Sequence, residues 1–351
     1  MIAPDTTGKA LTVLGPIDPN DLGMTITHEH LLIELSAAYV PPVNEEGRRL
    51  TDEPLALDNL GWVSVNWASS KDNLVYQDVE TAKREVAQYK NAGGQTLVDA
   101  TTVGIERDPE ALAEISRTSG VNIIMGAGYY VGPSHPEDFS NRSVDSITEE
   151  IIRDVQVGVG GTGIRCGIIG EIGCSWPWTN DEKKSVTAAV AAQRATGAPL
   201  LIHPGRDQKA PIEIVNLIER EGGDLNRTIM SHVDIRIYER EILRELAATG
   251  IYIEFDTFGL DSPFQPHALE LFMPSDSQRI DKVMWLIEDG YVERTVLAHD
   301  ICTKHRQRTY GGHGLDHIPT NVTNWMKIQG ITQAQIDTML VENPKRVLTF
   351  A

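Results

Sequence analysis

The chain has 351 residues, 41% of them hydrophobic and 23% charged, an ordinary composition for a globular protein able to bury a sizeable core. Its 31 Lys and Arg face 50 Asp and Glu, a net charge of −19. Such a field repels polyphosphate, so nucleic acid is not an expected partner, although a local basic pocket can still admit a small anion.

The opening stretch MIAPDTTGKALTVLGP has no basic flank followed by an apolar core, and no apolar run reaches the length of a membrane span. Neither a leader nor a membrane partner is expected. Cys166, Cys174 and Cys302 are too far apart for a disulfide framework or a CxxC zinc pair, which points to a reducing compartment, the cytoplasm.

Short β-rich runs alternate with longer helical patterns along the chain. The predicted strands are TITHEH (25–30), TLVDAT (96–101), NIIMGAG (122–128), GIIGEIG (167–173), PLLIHPG (199–205), TIMSHV (228–233), IYIEFD (251–256) and TVLAHD (295–300). Helical spacing covers 80–91, 108–118, 147–157, 182–196, 211–221, 238–248 and 277–289, and Thr179-Asn-Asp-Glu supplies an N-cap and acidic first turn for the fourth. Eight strands alternating with helices predict a parallel sheet, and eight is the number that closes an α/β (β/α)8 TIM barrel. The competing doubly wound sheet needs a Gly-rich turn after its first strand, and here that strand ends in His-Glu-His. The expectation is one barrel domain over 1–351 with long loops at 31–80 and 301–318, each following a strand, where barrels keep their active sites.

Residues i and i+2 of a strand share a face, so His28 and His30 project together and Glu29 points away. Other predicted strands close on Glu171, His203, His232 and Asp300. Six polar groups on one rim are costly to bury without a partner, and a divalent metal pair is such a partner. Four imidazoles and two carboxylates suit zinc, with Mn, Co or Fe accepted by the same donors. Six ligands imply two ions, with Glu171 as the natural bridge.

With these residues in place, the chain resembles the phosphotriesterase family of the amidohydrolase superfamily, and the animal phosphotriesterase-related branch more than the bacterial enzymes. The stretches that carry the resemblance are LGMTITHEHL, CGIIGEIGCSWPWT, IHPGR, MSHVD, LAHDICTK, YGGHGLDHI and VENPKRVLTF, from about residue 12 to the C-terminus. The resemblance implies a barrel with a binuclear centre: His28, His30 and Asp300 on the more buried metal, His203 and His232 on the more exposed one. It departs from the bacterial pattern at Glu171, where those enzymes carry a carboxylated lysine, and that puts organophosphate cleavage in doubt. For this branch it implies hydrolysis of N-acetyltaurine to acetate and taurine, by attack of a hydroxide shared between the metals, with Glu171 holding both and Asp300 shuttling the proton. Ester, lactone or phosphotriester hydrolysis on the same centre, or a non-catalytic small-molecule binding barrel, are the rival readings.

An anionic N-acyl substrate needs a cation in the pocket. Arg206, just past His203, is the first candidate, with Lys304, His305, Arg306 and Arg308 on the loop after the eighth strand. For each, a solvated loop charge is the plainer expectation. Tyr129 and Tyr130 are candidates to line the site, and Glu254 and Asp256 to orient ligand histidines. Cys174 and Ser175 read as pocket wall, and His313 and His317 as loop surface or lid. Beyond the substrate, a second copy of the chain in a homodimer is the one macromolecular partner entertained.

Overall fold

Strands buried on both faces read as continuous apolar runs, and here they lie where those runs occur. The computed structural model describes residues 6–351; the first five, part of the stretch inspected for a leader, lie outside the described residues. The eight strands are β1 (Thr25–Glu29), β2 (Thr96–Asp99), β3 (Asn122–Ala127), β4 (Ile168–Gly173), β5 (Leu200–His203), β6 (Thr228–Met230), β7 (Tyr252–Phe255) and β8 (Thr295–Leu297). They form one parallel sheet in sequence order, with registers such as Leu97 opposite Ile123, Met230 opposite Ile202 and Phe255 opposite Leu297. The last strand meets the first: the Asp300 amide donates to the His28 carbonyl (3.1 Å) and Thr27 Oγ1 to the Leu297 carbonyl (3.5 Å). Glu29 fastens the same seam. Its carboxylate accepts from the amides of His299 and Ile301, both at 3.0 Å, and from His299 Nδ1 at 2.5 Å.

Seven helices alternate with the strands: α1 (Val79–Asn91), α2 (Pro109–Ser119), α3 (Val144–Gln156), α4 (Asn180–Thr196), α5 (Ala210–Arg220), α6 (Arg240–Ala248) and α7 (Asp276–Glu288). Helical turns over 318–347 complete the eighth unit. Thr179 caps α4 in a reciprocal box with Glu182, as the sequence predicts, and Gly197 ends it in the left-handed region at φ 70°. Val98, Ile124, Ile168, Leu201, Ile229 and Val296 gather with Leu22, Val347 and Leu348 in one apolar cluster. A separate, larger cluster packs the strands against the helices. Among the described residues no helix is long and apolar enough to cross a membrane.

Most strands end before their predicted limits, and at two of them this sets a site residue in an unusual backbone. TIMSHV and TVLAHD leave the sheet at Met230 and Leu297, so His232 and Asp300 sit beyond the last paired residue. Both adopt the left-handed backbone, φ 56° and 49°, a conformation that costs a non-glycine residue energy and tends to persist at functional sites. The 31–80 segment is not structureless. It holds the helices Glu45–Leu50 and Leu60–Val65, and its two ends, Ile33–Glu34 and Val75–Tyr76, pair as short antiparallel strands. A third long connection, after β7, was not anticipated. It folds into a hairpin of Phe264–Gln265 with Ala268–Phe272 and packs Leu260 and Met273 against Ile235 and Trp67.

Fully buried Arg279 ties that connection to the barrel. It donates to Asp234 Oδ2 (3.1 Å), Thr257 Oγ1 (2.9 Å), Asp276 Oδ1 (2.7 Å) and the Leu260 carbonyl (3.2 Å). Arg279→Met fills the volume but strands buried Asp234, and should cost about 3–5 kcal/mol. A shift of the denaturant midpoint reads this directly, and an unchanged midpoint would refute it.

Candidate functional site

Each of the four predicted histidines is buried, and three of them have one ring nitrogen anchored while the other faces a common centre. His28 Nδ1 lies 3.1 Å from Glu254 Oε2 and 3.2 Å from Asp256 Oδ2, so it carries the proton. His28 Nε2 then faces Glu171 Oε2 at 3.6 Å and Asp300 Oδ1 at 3.9 Å, and is buried with no hydrogen-bond partner among the described residues. His30 Nδ1 meets Thr101 Oγ1 at 2.9 Å, and its Nε2 sits 3.4 Å from both Glu171 Oε1 and Asp300 Oδ1. His232 is held twice by Asp256, through its amide and its Nδ1, both at 2.9 Å, which turns Nε2 toward Glu171 Oε2 at 3.6 Å. His203 turns Nδ1 inward, 2.8 Å from Glu171 Oε2 and 2.7 Å from His232 Nε2. Glu254 and Asp256 thus orient ligand-type histidines, as the sequence suggested.

Two ring nitrogens 2.7 Å apart need a proton or a cation between them, because facing lone pairs repel. The surrounding charge has the same preference. Burial alone would raise the Glu171 carboxyl, yet His28, His203 and His232 hold it well below the usual carboxylate range. Burial opposes charge on His30 and His232, but Asp300 and Glu171 beside the first, and Asp256 and Glu171 beside the second, lift both to about 9. Burial, then His232, push His203 down to about 3. Burial drives Glu254 up to about 7. Protons and a bound cation compete for such a cluster. His28, His30 and Asp300 bring ligand atoms within 4.8 Å of one another, as do His28, Glu171 and His232, and either group could hold a metal ion.

Beside this cluster lies an open cleft. His203, His232 and Asp300 line it with Tyr130, Arg206, Arg236, Gln265 and Cys302. Tyr130 packs edge-on against His203, with ring centroids 5.0 Å apart.

Two predicted substrate contacts do not reach it. Tyr129 points the other way, donating to Glu150 Oε1 on α3 (2.6 Å) and accepting from Arg142 Nη1 (2.5 Å). Adjacent residues of an extended chain face opposite sides, so only one tyrosine of the pair could serve the site. Lys304 is turned toward the 31–80 segment and paired with Asp72 at 2.6 Å. Its loop neighbours are also engaged: Arg308 pairs with Asp316 (2.7 Å), and buried Arg306 donates to the carbonyls of Asp300, Phe258 and His299. His317 is buried against Asp276 at 2.7 Å, whereas half-exposed His313 stacks on it. Sequence reasoning missed Arg236 and Gln265. The signal available for Arg236 was a cation set between Ile235 and Ile237, four residues after His232.

The whole barrel matches a known family model, described as the Phosphotriesterase family, over residues 8–348. The chain belongs to this family. It is 46% identical to a Phosphotriesterase-related protein of Nematostella vectensis, covering 98% of this chain and 99% of that one. It is also 46% identical to an N-acetyltaurine hydrolase of Danio rerio, covering 98% of each. Among solved structures, a Resiniferatoxin-binding protein from Rhodobacter sphaeroides superposes with a TM-score of 0.95 at 34% identity, covering 99% of this chain and 97% of that one. With family membership and relatives of this similarity, the protein is an enzyme, a hydrolase.

Proposed function

We propose that the protein is a binuclear metal-dependent amidohydrolase that cleaves a short N-acyl amide, N-acetyltaurine, to acetate and taurine. The observation that carries this reading is the convergence of four ring nitrogens on Glu171, one of them, His28 Nε2, buried without a partner. The name of the Danio rerio relative supports the substrate. His28, His30 and Asp300 would hold one cation, His203 and His232 the other, and Glu171 both. Zinc is the first choice, with Mn, Co and Fe compatible with the same donors. When bound, such a pair lowers the pKa of water toward neutrality and polarises a carbonyl.

The chain's own residues supply the rest. Asp300 is the one carboxylate of the cluster that also lines the cleft, placed to accept a proton and release it to the leaving nitrogen. Tyr130 walls the cleft against His203, and Arg206 offers a cation to an anionic substrate. The three cysteines are unpaired, which supports a cytoplasmic setting.

Metal analysis combined with acetate release from N-acetyltaurine, beside a lactone and an aryl phosphotriester, tests the proposal. Two ions per chain with amide cleavage foremost is the expected result, and faster lactone or phosphotriester cleavage would overturn the substrate.

Asp256 contacts both His28 and His232, so Asp256→Asn loosens two ligands together. Metal affinity should fall about 10–100-fold, read by competition with a chelator. Equal retention by variant and parent would confine Asp256 to a packing role.

A further inference from the structure

The cleft also carries two cations whose chemistry differs from that of the histidine cluster. Arg206, after β5, and Arg236, on the turn Val233–Arg236 after β6, line the same cleft. Neither has an ion-pair partner among the described residues, in a chain with 50 acidic residues. Arg206 has no side-chain hydrogen bond among the described residues, and burial pulls its guanidinium below the ordinary arginine range. Arg236 is buried. Its Nε donates to the Pro204 carbonyl (3.1 Å) and its Nη1 to Gln265 Oε1 (3.2 Å), while Nη2 has no partner among the described residues. The two cations repel, and with burial they bring Arg236 down to about 10, still charged at neutral pH. A buried guanidinium beside a partly buried one, with no counter-charge for either among the described residues, is unfavourable unless an anion completes the site. Their planar forks suit the oxygens of a sulfonate or carboxylate.

We propose that Arg206 and Arg236 form the anion-binding end of the cleft, so that the substrates are short N-acyl amides whose amine half ends in a sulfonate or carboxylate. The proposal rests on the amidohydrolase reading and adds the part of the substrate remote from the scissile bond. Gln265 is the positioning residue. Buried in the hairpin after β7, it accepts from Arg236 and donates through Nε2 to the Ile235 carbonyl (2.8 Å) and Tyr238 Oη (2.9 Å). Through it, the unpredicted hairpin fixes the direction of the guanidinium and becomes a specificity element.

The test compares kcat/KM for N-acetyltaurine, its carboxylate counterpart N-acetyl-β-alanine, and neutral N-acetylethanolamine. The ratio of either anionic substrate to the neutral one should fall at least 50-fold in Arg236→Gln and Arg206→Gln, through KM, with Arg236→Lys recovering part of it. Arg206→Gln removes no hydrogen bond of the fold and so guards against misfolding of the Arg236 variant. Gln265→Glu, which gives Arg236 a permanent counter-ion, should lower the same ratio without touching the histidine cluster. The larger of the two anionic ratios in the parent identifies the anion. Calorimetry with ethanesulfonate supplies a readout independent of hydrolysis: the metal-loaded parent should bind it, and the double variant should not. Amide cleavage with equal ratios in all variants would overturn the anion site and leave the hydrolase reading intact. Sulfonate binding lost in the double variant, with no amide cleaved, would sustain the site and overturn the amidohydrolase reading.

Discussion

Glu171→Gln should abolish two-metal binding and reduce amide hydrolysis about a thousandfold or more, with the fold retained. Losing one aligned electrostatic group in an active site already costs about 10²–10³ in rate, and Glu171 serves more than one partner. Its Oε2 lies 2.8 Å from His203 and 3.6 Å from His28 and His232, and its Oε1 lies 3.4 Å from His30. A glutamine keeps the volume and one oxygen, but removes the charge that faces all four imidazoles. The backbone of β4 does not depend on that side chain, since the Glu171 amide donates to the Ala100 carbonyl at 3.2 Å. Far-UV circular dichroism should therefore match the parent while metal stoichiometry falls from two to one or none. A variant that keeps two ions and full activity would remove Glu171 from the bridging position.

Much of this site can be read before folding because barrel geometry puts strand ends together. Runs such as LLIH and YIEF are buried at every position, which leaves them no polar alternation to confuse the pattern. A histidine or carboxylate closing such a run stands out. The structure brings His232 and Asp300 to the cluster in a conformation that the sequence does not disclose, since an apolar run does not report where pairing stops. Their left-handed backbones are held by contacts remote in sequence, the Asp256 carboxylate for one and the His28 carbonyl for the other.

The cleft's far wall was less legible for a different reason. The strands Phe264–Gln265 and Ala268–Phe272 are too short to give a periodic signal. Lys304 and Arg206 are both loop cations in the sequence, and only tertiary packing separates them: Asp72 neutralises the first, and no carboxylate among the described residues pairs with the second. The Tyr129–Tyr130 pair is a related ambiguity, because alternation says that one faces the site without saying which.

Asp300→Asn should lower kcat for the amide by about 10²–10⁴-fold, the range that general acid–base catalysis contributes, with a much smaller change in KM. Asparagine is a gentle replacement here. It tolerates the left-handed backbone at φ 49° that Asp300 adopts, and it keeps an oxygen near His30 Nε2, 3.4 Å away. What it loses is the ability to take up a proton and return it. An amine leaves poorly unless protonated, whereas a nitrophenolate leaves unaided. Turnover of p-nitrophenyl acetate should accordingly fall far less than turnover of the amide in the same variant. The ratio of the two losses separates proton delivery from ligand loss, because weaker metal binding would depress both reactions alike. Equal losses, tracking a lower metal content, would reduce Asp300 to a ligand and leave the leaving-group proton to another donor.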